Sequence, residues 1–476
     1  MTMRAFSIHA HFYQPPREDP LTGIIPIETG ASPFPNWNER IHAECYRPNA
    51  VIGNFSRISF NIGPTLFAWI SGYDSPTYQS IIAQDRVNVR INGVGNALAQ
   101  AYNHTILPLA TYTDKITQIR WGIAEFEHRF GRKPQGMWLP ETAVNMETLS
   151  VLADHGIEFT ILAPWQAQDD NLDVTEPYRV FLPHGREITI FFYHAGMSGG
   201  ISFNPELTVN ADNFANESLA ASFRSEKTQR EEPQLILLAS DRELYGHHQP
   251  MREYFLKHLV DGASSQLGLT PTYPGLWLKT HPARRVTAIR ENTSWSCPHG
   301  IYRWLGTCAC TPGDGRWKTQ LHLVFERLSR QLDNLYFRYT SQDIPDPLEL
   351  RNRYIDTILG VLPVEELIGE LAGRRLPDEA VVQTHLLLES QRERQRMYTS
   401  CGWFFDDFDR IEPKNNLAYA AQAVRLARMA TGVDLEPTVL ADLKQVVSPR
   451  TGLNGYRVFL RHMRRAVMDG RIIAGD

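Results

Sequence analysis

Ala5-Phe6-Ser7-Ile8-His9-Ala10-His11-Phe12-Tyr13-Gln14-Pro15 is the stretch that decides the fold. Its first half is almost continuously apolar, as in a strand buried on both faces. Two histidines then interrupt it, and at a period of two His9 and His11 point to the same face. An apolar strand that turns polar at its carboxyl end fits a parallel α/β sheet, where functional groups gather at that end. Working outward, Ile58–Ile62, Val87–Ile91, Gly136–Leu139, Glu158–Leu162, Glu187–Tyr193 and Leu235–Ala239 read as further strands. Helical stretches, Asp114–Phe130 and Met146–His155, alternate with them, and Arg179–Tyr193 reads as a hairpin turning at His184-Gly185. The alternation predicts a parallel sheet, open or closed into a barrel.

After about Thr311 the texture changes. Trp317, Leu321, Val324, Leu328, Leu332 and Leu335 recur at helical spacing, as do Leu417, Ala421, Val424 and Ala427. The expected organisation is an α/β barrel over residues 1–310 followed by a helical domain over 311–476 that contributes to the active-site cleft.

The composition of the 476 residues narrows the function classes. Lys plus Arg number 48 against 53 Asp plus Glu, a net charge of −5, which gives no support for a nucleic-acid binder. No stretch of about 18 apolar residues is present to cross a membrane. The first residues lack the apolar run of a signal peptide, and the five cysteines do not form a disulfide framework, so a cytoplasmic, reducing setting is expected. Aromatic residues make up 11% of the chain, which suits carbohydrate-binding faces as well as a core.

Polar residues cluster where the candidate strands end: His9 and His11, Asn61, Glu141 after Trp138-Leu139-Pro140, and Asp241-Arg242-Glu243. Two carboxylates delivered to one barrel mouth, Glu141 and Asp241, are the minimum equipment for cleaving a glycosidic bond. Each piece has a plainer reading. A single acid at a strand end is often a helix cap, a His-x-His pair is often a hydrogen-bonded pocket wall, and Glu243 is as readily a structural partner of its neighbours. The combination carries the signal. Cys297-Pro298-His299 and Cys308-Ala309-Cys310 place four soft ligands within fourteen residues. They suit zinc, although the spacing is not that of a standard finger; the alternative is a loop of reduced thiols. Trp403-Phe404-Phe405 cannot all face a helical core, and Asp406 and Asp407 follow. They read either as an edge that contacts sugar or as an internal interface.

The motifs His9-Ala10-His11-Phe12-Tyr13-Gln14-Pro15, Phe60-Asn61-Ile62-Gly63-Pro64, Gly136-Met137-Trp138-Leu139-Pro140-Glu141, Asp241-Arg242-Glu243-Leu244-Tyr245-Gly246-His247 and Asn292-Thr293-Ser294-Trp295-Ser296-Cys297 resemble, in order, the five motifs of glycoside hydrolase family 57. Cys401–Asp407 resembles a helical segment of one family branch described as amylase- or mannosidase-like. The resemblance implies a distorted, TIM-like (β/α)7 barrel with a following helical domain, acting on α-glucans with retention, as an amylase or 4-α-glucanotransferase does. It places the nucleophile on Glu141 and the general acid/base on Asp241. Substrate-binding candidates are His9, His11, Gln14, Asn61, His104, Trp138, Trp165, Glu243, His247, Trp295, Trp403 and Asp406. The two-carboxylate chemistry calls for no cofactor and no catalytic metal, and the expected partner is an oligo- or polysaccharide. The alternatives are a metal-dependent α-mannosidase or polysaccharide deacetylase, for which His9 and His11 lack an accompanying acid, and a non-catalytic glucan-binding barrel.

Overall fold

The computed structural model describes residues 3–468 and 471–473. Two compact units share the chain. The first comprises the residues up to Gln14, Ile27–Tyr102 and Phe126–Trp295; the second comprises Pro15–Pro26, Asn103–Glu125 and the residues from Ser296 on.

The first unit is a ring of short strands. β1 (Arg4–Phe12) lies between β2 (Ser59–Ile62) and a late strand, and both pairings are parallel. β3 (Ala99–Gln100) continues from β2 through a parallel bridge between Phe60 and Ala97, and pairs with β4 (Met137–Trp138). A bridge between Gly136 and Phe159 leads to β5 (Phe159–Leu162). β6 (Tyr178–Phe181) forms the antiparallel hairpin with β7 (Glu187–Phe192), and β7 runs parallel to β5. His184 and Gly185 adopt positive φ at its tip, 64° and 71°. β8 (Gln234–Asp241) pairs with β1, and the His194 amide donates to the Leu237 carbonyl at 2.7 Å, closing the ring. With β6 set aside as the outer arm of the hairpin, seven parallel strands among the described residues make the ring, and Thr270–Pro271 adds a short parallel pairing to β1 at Ala5 and Phe6.

The period of two sorts this barrel. Ala5 on β1, Trp138 on β4, Phe159 and Ile161 on β5, Phe191 on β7, and Leu235, Leu237 and Ala239 on β8 form one buried cluster. Alternate residues of each strand thus fill the interior. The same parity carries His9 and His11 on β1 and Asp241 on β8 to the inside. Gly136 lets β4 and β5 approach, since a Cβ there would lie 2.4 Å from the Phe159 ring.

Val87–Ile91 is not a strand. It forms the end of the helix Ser75–Asn92, which Asp74 caps by accepting from the Thr77 amide and Gly93 terminates at φ 70°. The alternating β-branched residues there were misleading: Ile81, Ile82, Asp85 and Asn88 are the buried face, and Ile91 is 70% exposed. The strand in that part of the ring is β3, too short and too poor in β-branched residues to register in the sequence.

The second unit is helical. Trp317, Leu321, Val324, Leu328, Leu332 and Leu335 are buried along Arg316–Thr340, and Leu417, Ala421, Val424 and Ala427 along Ile411–Thr431. The small residues of the latter admit a close neighbour: Ser390 Oγ of Asp378–Arg396 donates to the Ala423 carbonyl at 2.8 Å. At its centre Asp114 meets the guanidiniums of Arg394 at 2.8 Å and Arg351 at 3.3 Å. Burial opposes ionisation of Asp114, but these two cations hold its carboxyl well below the usual carboxylate range. No helix among the described residues is long and apolar enough to cross a membrane.

Candidate active site

The polar belt on the inner face begins with β1 and β2, whose register sets His9 opposite Ser59 and His11 opposite Asn61. His9 is fully buried. Its Nδ1 pairs with Ser59 Oγ at 2.9 Å and its Nε2 with Asn61 Oδ1 at 3.1 Å. Asn61 also meets His11 Nδ1, and its amide donates to Gln100 Oε1 on β3 at 2.6 Å. Burial pushes both imidazoles down, His9 with help from the adjacent His11 to about 3 and His11 to about 4. Both are therefore neutral at physiological pH, and His9 acts as a prop for Asn61.

Trp138 on β4 stacks on both rings, 4.7 Å from His9 and 5.2 Å from His11. Trp295 meets it edge-on at 5.1 Å. Trp138 is thus a buried wall whose faces are taken by protein. Its Nε1, and Nε2 of Gln100, have no hydrogen-bond partner among the described residues.

Glu141 follows β4 in a left-handed conformation, φ 57° and ψ 21°, after Leu139-Pro140. Trp295 fixes it twice: the indole Nε1 donates to Glu141 Oε2 at 3.0 Å, and the Trp295 amide donates to the Glu141 carbonyl at 3.1 Å. A left-handed non-glycine residue stores backbone strain, and such strain collects at functional sites.

Asp241 is the last residue of β8 and lies in register with His11. It stands at the exposed end of that strand. Desolvation, then the charges of Glu243 and Glu141, raise its pKa well above the ordinary carboxylate value. Tyr193 lies within the field of Asp241; burial and that charge push its phenol upward.

Glu243 is buried. It accepts from Tyr46 Oη at 2.7 Å and from Gln14 Nε2 at 3.5 Å. Burial raises its pKa, and these two donors oppose the rise. His247 pairs with Glu44 through Nδ1. The turn between them needs Gly246, at φ 141°, where a Cβ would lie 2.2 Å from the Glu44 carbonyl oxygen. Gly246→Ala is expected to cost more than about 2 kcal/mol, read as a fall in thermal midpoint.

Trp165 is 45% exposed, with its Nε1 on the Ser294 carbonyl and Tyr193 edge-on at 6.1 Å. It therefore retains an open ring face. Three candidates belong to the second unit. His104, at φ 54°, is buried with Nδ1 2.6 Å from Ser400 Oγ. Trp403 is 2% exposed and stacks on His322 at 3.8 Å, so its ring is spent on the core of that unit. Asp406 accepts from Arg410 Nε at 3.2 Å. Sequence reasoning missed Ser59, Gln100, Tyr46 and Tyr193; the parity of Ser59 with Asn61 was the one available signal.

Among the described residues, the group with metal-ligand spacing is Cys297, His299, Cys308 and Cys310 in the second unit. His9 and His11 are not part of it.

Residues 57–272 match the family model described as glycosyl hydrolase family 57, which bears out the resemblance drawn from the motifs. Residues 314–475 match a model described as a domain of unknown function, DUF3536. No curated protein sequence matches the chain significantly. Among solved structures, the chain resembles an exo-type maltose-forming amylase from Pyrococcus sp. ST04, with a TM-score of 0.75 at 15% identity over 97% of this chain and 89% of that one. A GH57-type branching enzyme from Pyrococcus horikoshii gives 0.62 at 16% identity, over 93% and 94% of the two chains. A 4-alpha-glucanotransferase from Thermococcus litoralis gives 0.57 at 15% identity, over 90% of this chain and 60% of that one. At these identities the likeness is one of fold, a (β/α)7 barrel with a helical C-terminal domain.

Proposed function

With residues 57–272 matching glycosyl hydrolase family 57, we propose that this protein is a retaining glycosidase or transglycosylase acting on α-glucans, of the amylase or 4-α-glucanotransferase type. Glu141 is the nucleophile and Asp241 the general acid/base. The observation that carries this reading is Asp241 itself, a strand-end carboxyl in register with His11 whose pKa is raised by desolvation and then by the charges of Glu243 and Glu141. The amylase, branching-enzyme and glucanotransferase folds it resembles supply the substrate class.

In the first step the ionised Glu141 attacks the anomeric carbon while Asp241 gives its proton to the departing glycosidic oxygen. The Trp295 indole donates to Oε2 of that carboxylate and orients it. In the second step Asp241, now a base, takes the proton of a water or of an acceptor sugar hydroxyl as that oxygen displaces Glu141. His11, Asn61 and Gln100 line the polar belt that receives sugar hydroxyls, with His9 and Trp138 behind them, and Trp165 offers the stacking face.

Chromatography of products from maltooligosaccharides and amylose tests the reading. Longer products mean transfer, only shorter ones mean hydrolysis, and turnover of α-galactosides instead of either would overturn the substrate class. Proton NMR of the first-formed anomer tests retention, which requires the α product.

A pH prediction follows from the carboxylate cluster. Glu243→Gln removes one of the charges that raise Asp241. The Asp241 pKa then falls, so the basic limb of kcat, where the acid loses its proton, moves to lower pH. Tyr46→Phe removes a hydrogen bond that favours ionised Glu243 and is expected to move the limb the same way by less. An unmoved limb in both variants would separate Glu243 from the acid.

A further inference from the structure

The stretch 296–315 in the second unit has one short helix, Tyr302–Leu305, and is otherwise turns and irregular chain. The Gly300 amide donates to the Cys297 carbonyl at 3.1 Å and the Thr311 amide to the Cys308 carbonyl at 3.0 Å. These two turns bring four donors together. The Cys297 sulfur lies 3.5 Å from Cys308 and 3.3 Å from Cys310, and Cys308 lies 3.0 Å from Cys310. His299 Nδ1 is 3.2 Å from the Cys308 sulfur. All four ligand atoms fall within 4.8 Å of one another. Around a tetrahedral zinc, with zinc–sulfur bonds of about 2.3 Å, thiolates stand about 3.8 Å apart; the sulfurs here are drawn in from that arrangement by about 0.3–0.8 Å.

We infer that Cys297, His299, Cys308 and Cys310 form a structural zinc site. Three thiolates and one neutral imidazole complete the tetrahedron, so no position is left for a reacting water. Each thiol gives its proton to solvent as its zinc–sulfur bond forms, and no electron changes hands. Three thiolates on a dication leave a net charge of about −1, and cations stand beside them. Arg303 donates to the Cys310 carbonyl at 2.8 Å, and the buried Lys318, whose ammonium lies within the field of Cys308 and Cys310, donates to the Arg303 carbonyl at 2.6 Å. A loop of this length with one four-residue helix is uncommon inside a compact unit, and a cross-link would tie it down. Zinc supplies one that persists in a reducing setting, where a disulfide does not.

The full chain, purified without chelator in reducing buffer, tests the site by elemental analysis. About one zinc per chain is expected, with loss of at least nine-tenths of it in Cys308→Ser. Should that variant fail to fold, His299→Ala at the exposed edge serves instead, together with mercurial titration of the wild type before a chromophoric zinc indicator. Thiol modification should release the metal in step. Chain grown with cobalt in place of zinc should show the thiolate-to-cobalt charge-transfer absorption of a tetrahedral sulfur site. Removing the zinc should lower the thermal midpoint by several degrees. Absence of zinc from well-folded chain even after reconstitution with zinc chloride, full zinc in the variants, iron in its place, or removal without a change in thermal midpoint would each overturn the assignment.

Discussion

Glu141→Gln is expected to lower turnover of an α-glucan roughly a thousandfold or more. The amide keeps the shape of the side chain and can keep the Trp295 indole bond to its oxygen, so binding should change little and kcat should carry the loss. The smaller Glu141→Ala variant opens room for an external anion. Azide should restore part of its turnover, leaving a glycosyl azide of inverted configuration. A slow substrate with a fluorine at carbon 2 should trap the sugar on Glu141, detected by peptide mass spectrometry. Labelling of another residue, with no azide rescue, would remove Glu141 from the mechanism. The positive φ of Glu141 gives a second readout: Glu141→Gly, inactive, should be no less stable than the parent, because glycine adopts that conformation without strain.

Asp241→Asn is expected to discriminate between leaving groups. Natural glucans depart as alcohols that need a proton, and their turnover should fall roughly a hundredfold or more. A nitrophenyl glucoside departs as a stable phenolate, so its glycosylation step should fall much less. Equal losses in that step would leave Asp241 as a binding residue and make Glu243 the next candidate. The same substitution bears on stability. The folded-state pKa of Asp241 is raised, so its favourable contribution is complete below the unfolded-state value and is lost as pH rises through the folded value. Asn cannot ionise, so the variant should have a higher thermal midpoint than the parent on the alkaline side of that window and no advantage in acid.

The strands that read clearly are those with apolar runs. Ala5–His11 and Leu235–Ala239 lie inside β1 and β8 because both their faces are covered, and continuous hydrophobicity follows from that. Val87–Ile91 misled because alternation over five residues fits a strand while the helix caps that decide the matter, Asp74 and Gly93, lie outside the window. β3 left no mark, since two residues cannot carry a period. At about Thr311 the texture of the chain changes, yet the second unit also takes in Pro15–Pro26 and Asn103–Glu125, which nothing in their composition sets apart. The candidate carboxylates were legible from their positions at strand ends. The supports around them were not: Tyr46 reaches Glu243 across 197 residues, and no local pattern encodes such a contact. The aromatic candidates divided by burial, which sequence does not report. Trp165 keeps an open face, whereas Trp138 and Trp403 are enclosed.

The closure of β1 by β8 has a consequence during synthesis. β1 is made first, and β2 covers one of its edges soon afterwards, but the strand that covers the other begins at Gln234, opposite Arg4. About 230 residues must leave the ribosome in between, which at roughly 5–20 residues per second takes on the order of ten to fifty seconds. Throughout that interval an apolar edge with unpaired amides and carbonyls is open to any other strand, including the same segment of a neighbouring nascent chain. Release of chains truncated before Gln234 should therefore yield aggregates or chaperone-bound material, while chains extended past Asp241 and clear of the exit tunnel should begin to resist protease within the barrel.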